Sequence, residues 1–311
     1  MPIDERVRDL LNKFEAEGIP SISNLSVTEA RKLNSEMARK LAGPHVNVAF
    51  VQNFTVTTPE AEIPVRLYNP NKEPGLPALV FLHGGGWVVG DLDCYDWLCR
   101  SIAVAAECAL FSVDYRLAPE HKFPAAIEDS YWVTRWLVEN GTAKSIDSHR
   151  IAIGGDSAGG NLSAAVCLKA RDNGAYPNLL HQLLIYPIMN HSFETESYRT
   201  CADGYYLTER DMRWFWNHYL RESSDGLQPY ASPLLADNLT NLPPAHIITA
   251  GFDPLRDEGE AYAKRLEEAG VPTSTSRYDT MVHGFLDFAS LKQTGAAIEE
   301  IATELHKAFG T

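Results

Sequence analysis

Apolar and polar positions follow two different rhythms along this chain, and the rhythm changes near residue 45. Before that point Ile3, Val7, Leu10, Leu11 and Phe14 recur at helical spacing, which predicts a first amphipathic helix. A second helix opens at Ser26-Val27-Thr28-Glu29, where hydroxyl and carboxylate can satisfy each other's free backbone donors as a capping box. Its apolar face continues through Ala30, Leu33, Met37 and Leu41, and Gly43-Pro44 stops it.

From Val46 onward short apolar runs alternate with helical stretches, the signature of a mostly parallel sheet built from βα units. Strands are predicted at Ala78–Leu82, Leu110–Tyr115, Arg150–Ile153, Leu183–Tyr186 and His246–Ala250. Helical patterns intervene at Tyr95–Ala106, Ala126–Asn140, Ala158–Arg171 and Glu258–Ala269. Two earlier β segments, Asn53–Thr57 and Ile63–Tyr68, read as an antiparallel lead-in, and a last helix runs to Phe309 with Thr294 as its expected N-cap. Between Pro187 and about Pro229 the alternation breaks. There a polar loop leads into a helix, Leu207–Leu220, carrying Trp214, Phe215, Trp216 and Tyr219, and the segment reads as an insertion.

Composition narrows the class further. Apolar residues at 45% and charged residues at 22% are those of a globular chain with a sizeable core. A net charge of -14 disfavours nucleic acid and anionic lipid as partners, so neither is expected. The five cysteines (Cys94, Cys99, Cys108, Cys167 and Cys201) form neither a CxxC pair nor a metal cluster, and reduced thiols are expected. The opening Met-Pro-Ile-Asp-Glu-Arg lacks the basic and apolar stretches of a secretory signal. No run approaches about 18 uninterrupted apolar residues. The expected location is cytoplasmic, with no membrane association.

The chemistry lies in three separated features. Gly155-Asp156-Ser157-Ala158-Gly159 fits G-x-S-x-G, between an apolar strand and a helix of small residues. That context is what a sharp turn projecting a nucleophilic serine requires in the α/β-hydrolase fold. Ser157 then needs a histidine to take its proton and an acid to orient that histidine. Of ten histidines, His283 alone lies past the last predicted strand and outside a helix, in the turn His283-Gly284-Phe285. Asp253, three residues beyond the strand His246–Ala250, is the acid in the order Ser, acid, His; Asp257 and Asp279 are worse placed. His83-Gly84-Gly85-Gly86-Trp87 directly follows the strand Ala78–Leu82 and offers backbone N–H groups to an oxyanion, joined by the N–H of Ala158. Trp87 adjoins this loop and is the better candidate for lining the pocket. The spacing of Trp214, Phe215, Trp216 and Tyr219 suits buried helix faces instead.

These motifs, with Asp114-Tyr115-Arg116-Leu117-Ala118-Pro119-Glu120, Gly160-Asn161 and Asp253-Pro254-Leu255-Arg256-Asp257-Glu258, resemble the hormone-sensitive-lipase-like family of esterases over roughly residues 45 to 311. The resemblance implies an α/β-hydrolase with a catalytic core of about 46–186 and 230–311 under a cap made from about 1–45 and 187–229. It implies a serine carboxylesterase acting on short- to medium-chain esters, as monomer or homodimer, with Gly84, Gly85 and Ala158 forming the oxyanion hole. No cofactor or metal is called for. An amidase or peptidase could use the same triad, and receptors related to the family bind small molecules without catalysis, although the histidine at 283 argues against the latter.

Overall fold

The computed structural model describes residues 1–71 and 73–311. The apolar runs become strands of one sheet: β1 (Phe50–Thr57), β2 (Glu62–Asn69), β3 (Leu76–Leu82), β4 (Ala109–Val113), β5 (Ile146–Asp156), β6 (His181–Ile185), β7 (Ala245–Phe252) and β8 (Thr273–Val282). Their order across the sheet is β1-β2-β4-β3-β5-β6-β7-β8. β1 and β2 are antiparallel, as the lead-in predicted, and β2 is antiparallel to β4; every later pairing is parallel. Every residue of β3, β4 and β6 is buried, because these strands lie inside the sheet and are covered on both faces.

Helices cover both faces. One apolar layer gathers residues of α4 (Ala125–Asn140), α5 (Ala158–Asp172), α7 (Glu209–Tyr219) and α8 (Arg256–Glu268). The other gathers α1 (Glu5–Ala16), α3 (Asp96–Ala105) and α9 (Lys292–Phe309). α2 (Val27–Leu41) carries the expected capping box, with the Ser26 N–H donating to Glu29 Oε2 at 2.9 Å. Between β6 and β7 the predicted break contains the short α6 (Glu196–Thr200) before α7. Among the described residues no helix is long and apolar enough to cross a membrane.

Among the boundaries that differ from those expected, two bear on the site. α9 starts at Lys292, and Thr294 lies inside its first turn, not at its cap. The Thr294 hydroxyl is buried and donates to the carbonyls of Phe285 (2.7 Å) and Phe288 (2.9 Å), so it clamps the turn that follows His283. The strand expected to reach Tyr115 stops at Val113. Tyr115 leaves the sheet, and its hydroxyl donates to the His83 carbonyl at 2.7 Å.

The outer strand β8 is pinned to α9 through one carboxylate. Glu300 lies 3.0 Å from His246 Nε2 and accepts from the Tyr278 (2.6 Å) and Ser276 hydroxyls. Burial alone would raise this carboxyl, but hydrogen bonds from His246, Ser276 and Tyr278 bring it down to about 2. Its folded pKa therefore lies below its unfolded one, so the stabilisation is complete above the unfolded value of 4.5 and disappears as pH falls towards 2. Denaturant titrations between pH 6 and pH 2 should show wild type losing about 2 kcal/mol more unfolding free energy than Glu300→Gln does.

Candidate active site

The carboxyl ends of β3, β5, β7 and β8 converge at one edge of the sheet, where open parallel sheets bind their ligands. β5 runs directly into the turn at Ser157, which has φ 55° and ψ -116°. A non-glycine residue holds that conformation only where its surroundings over-determine it. Here the Ser157 N–H donates to Ile185 O at 2.8 Å, and its carbonyl accepts from Asn161 N at 3.0 Å. A Cβ added to Gly155 or Gly159 would lie 2.2 Å or 1.8 Å from the Leu82 carbonyl oxygen, so only glycines let this turn lie against the end of β3.

The structure brings Ser157, His283 and Asp253 together. Ser157 Oγ is 2.9 Å from His283 Nε2, and His283 Nδ1 is 2.8 Å from Asp253 Oδ2. Asp253 is fully buried, and its other oxygen accepts from the Leu255 N–H at 2.8 Å. The imidazole meets the ring of Tyr186 in an edge contact, with centroids 4.8 Å apart. Asp257 instead accepts from the Ser197 N–H, and Asp279 faces Arg277, so neither competes for the histidine. Such a relay can deprotonate a hydroxyl and return the proton to a leaving group.

One expected donor is corrected. The Gly84 N–H donates to Asp156 Oδ1 at 2.8 Å and is taken up by the protein itself. Asp156 Oδ2 accepts from the Tyr95 hydroxyl at 3.1 Å, so this carboxylate fastens the glycine loop to the nucleophile's own turn. Burial, with Asp287 nearby, pushes the Asp156 carboxyl well above the usual carboxylate range. Among the described residues the N–H groups of Gly85, Gly86 and Ala158 donate to no protein acceptor.

Above this edge lies a cavity of about 570 Å³ whose wall includes Ser157, His283, Gly85 and Gly86. Residues of α1 and α2 line it, as do Tyr206, Met212 and Phe215 from the segment after β6. Trp87, expected to line the pocket, does not: it is fully buried and stacks on Tyr219 with centroids 4.1 Å apart. Trp216 and Tyr219 belong to the same buried aromatic group, whereas Phe215 reaches the cavity beside Gly86.

Three supporting residues escaped the sequence reading. Asp156 sat inside the recognised motif, but nothing in its spacing shows what its carboxylate holds. Glu258 is buried, and its Oε1 accepts the Met189 N–H at 2.7 Å, fixing the chain just beyond β6. Asp287 interrupts the buried run Phe285-Leu286-Phe288 and lines the cavity. A lone acid in an apolar run was the available signal.

The chain matches the alpha/beta hydrolase fold family over residues 79–287 and belongs to it, in the hormone-sensitive-lipase-like branch. It is 45% identical to the carboxylic ester hydrolase LipN of Mycobacterium tuberculosis, over 95% of this chain and 80% of that protein. Identity to the arylesterase of Saccharolobus solfataricus is 37%, over 92% of this chain and 93% of that one. The solved structure of the ester-hydrolase EH1AB1 from the Lake Arreo metagenome superposes with a TM-score of 0.96 at 40% identity, covering 99% of this chain and 100% of that one. The chain is accordingly a carboxylic ester hydrolase.

Replacing Asp156 with alanine leaves the Gly84 N–H and the Tyr95 hydroxyl without their acceptor. Steady-state kinetics on a short ester should show kcat reduced about tenfold or more, with KM altered far less, because misplacing the donor loop weakens what is felt in the transition state.

Proposed function

We propose that the chain hydrolyses short- to medium-chain carboxylic esters through an acyl-enzyme on Ser157, with His283 as general base and acid and Asp253 as the carboxylate that orients it. The unbroken relay from Ser157 Oγ through His283 to a fully buried Asp253 carries this reading. Ser157 Oγ bonds to the ester carbonyl carbon as its proton passes to His283 Nε2. The tetrahedral intermediate collapses, the carbon–alkoxide bond breaks, and His283 returns the proton to the departing alcohol. Water then attacks the acyl carbon, losing its proton to His283; the bond from that carbon to Ser157 Oγ breaks, His283 returns the proton to Oγ, and the acid leaves.

The oxyanion needs donors already in place. Among the described residues those left free are the N–H groups of Gly85, Gly86 and Ala158, and Gly84 acts by holding the loop through Asp156. α1 and α2, together with the segment after β6, form the cap over the cavity. Its apolar lining, including Leu33, Met37, Ile188 and Met212, accommodates a modest acyl chain. The five free cysteines suit a reducing cytoplasm.

Initial rates on p-nitrophenyl esters from acetate to palmitate should peak at the short chains, and Ser157→Ala should lower kcat by about 10⁴-fold or more while its thermal unfolding stays close to wild type. A folded alanine variant that still turns over would remove Ser157 from the mechanism.

A further inference from the structure

Asp287 is the last residue of the turn Phe285–Asp287 that follows His283. Its neighbours Phe285, Leu286 and Phe288 are buried in the core, which leaves the half-buried Asp287 side chain on the cavity wall. The carboxylate lies beside Gly284, with Oδ2 3.5 Å from where a Cβ on that glycine would sit. Among the described residues it accepts no hydrogen bond and joins no ion pair. The titratable groups facing it are Asp156, Tyr95, Tyr186, Tyr206 and His283. The Tyr95 hydroxyl is already donated to Asp156. Of the described residues lining the cavity, Arg8 is the one Lys or Arg, and its guanidinium lies over the ring of Tyr205. A carboxylate without a partner in a site that water must leave on substrate binding is completed only by what the substrate brings.

The side of the substrate it meets follows from the mechanism proposed above, on which this inference rests. His283 has to reach the departing alkoxide, and Asp287 lies four residues beyond it, on the turn that follows and on the same cavity wall. We propose that Asp287 sets the charge preference of the leaving-alcohol side, favouring esters of cationic alcohols and rejecting those whose alcohol carries a carboxylate. A unit charge across several ångströms of partly dry cavity discriminates by about tenfold or more.

Acetate esters isolate the effect, since all give the same acetyl-enzyme and differ only in steps up to loss of the alcohol. Acetylcholine and 3,3-dimethylbutyl acetate share a shape and differ in charge; O-acetylglycolate and propyl acetate supply the anionic comparison. At pH 8 wild type should favour acetylcholine over its neutral isostere in kcat/KM, and propyl acetate over O-acetylglycolate, each by about tenfold. In Asp287→Asn both ratios should fall to within about twofold. Because the readout is a ratio, a general loss of rate cancels. Ratios unchanged by the substitution would overturn the proposal, as would an equal loss on all four esters, which would mean that Asp287 acts through His283.

Wild type alone gives a second readout. Burial pushes the Asp287 carboxyl up to about 6, so its charge appears between pH 5 and 8. The acetylcholine ratio should climb over that interval, since any protonation step common to both substrates divides out. A flat ratio overturns the proposal. Turnover of neutral acetates without charge discrimination refutes this inference and leaves the esterase standing, whereas no turnover of any neutral acetate by wild type refutes both.

Discussion

The close approach of two backbone segments governs the rest of the site. The turn at Ser157 lies so tightly against the end of β3 that Gly155 and Gly159 can carry no side chain. This contact brings the N–H of Ala158 and the loop after Leu82 to the same small volume. Ser157 pays for it with a positive φ, a conformation that costs about 1–3 kcal/mol in a non-glycine residue. β5 can hold that strain because it is hydrogen-bonded on both sides, to β3 and to β6. The strained residue is thus gripped by the centre of the sheet, and its hydroxyl reaches His283 from a rigid base.

Carboxylates and one guanidinium carry this order outward. Asp156 ties the glycine loop to the strained turn, Asp253 holds the imidazole, and Glu258 fixes the chain beyond β6. Arg31 of α2 donates to the carbonyls of Val88 (2.9 Å) and Ala118 (3.0 Å) and pairs with Glu120. The helical region over the cavity is therefore hydrogen-bonded to the loop that carries Gly85 and Gly86. Packing alone would leave that loop free to shift; these directional contacts do not.

Much of this was legible in the sequence, for identifiable reasons. Periodicity showed the βα alternation because buried parallel strands are mostly apolar, as in β3, β4 and β6. The positions of Ser157, Asp253 and His283 followed from motif context and chain order. Tertiary hydrogen bonding was not legible. Gly84 and Gly85 are the same residue type in the same run, and only the position of the Asp156 carboxylate separates a donor that is engaged from one that is free. Thr294 looked like an N-cap because threonine favours that position, but its hydroxyl found two carbonyls of the preceding turn. Trp87 seemed a pocket residue by adjacency; its positive φ and its stacking on Tyr219 turn it into the core.

The two segments over the cavity meet at Asp211, which accepts the Ser21 hydroxyl at 2.5 Å and the Ser23 N–H at 2.9 Å while also capping its own helix through Thr208. Ser21 and Asp211 are separated by 190 positions in the chain. Contacts of such long range are entropically expensive to close early, so they form after local structure is in place. The first helices emerge from the ribosome long before their partner exists. Phe14 of the first helix packs against rings far along the chain, those of Tyr206 and Phe288. The pocket wall is thus built from two segments that no local folding step can join, and the enclosure that selects what reaches Ser157 depends on the rest of the fold to bring its halves together.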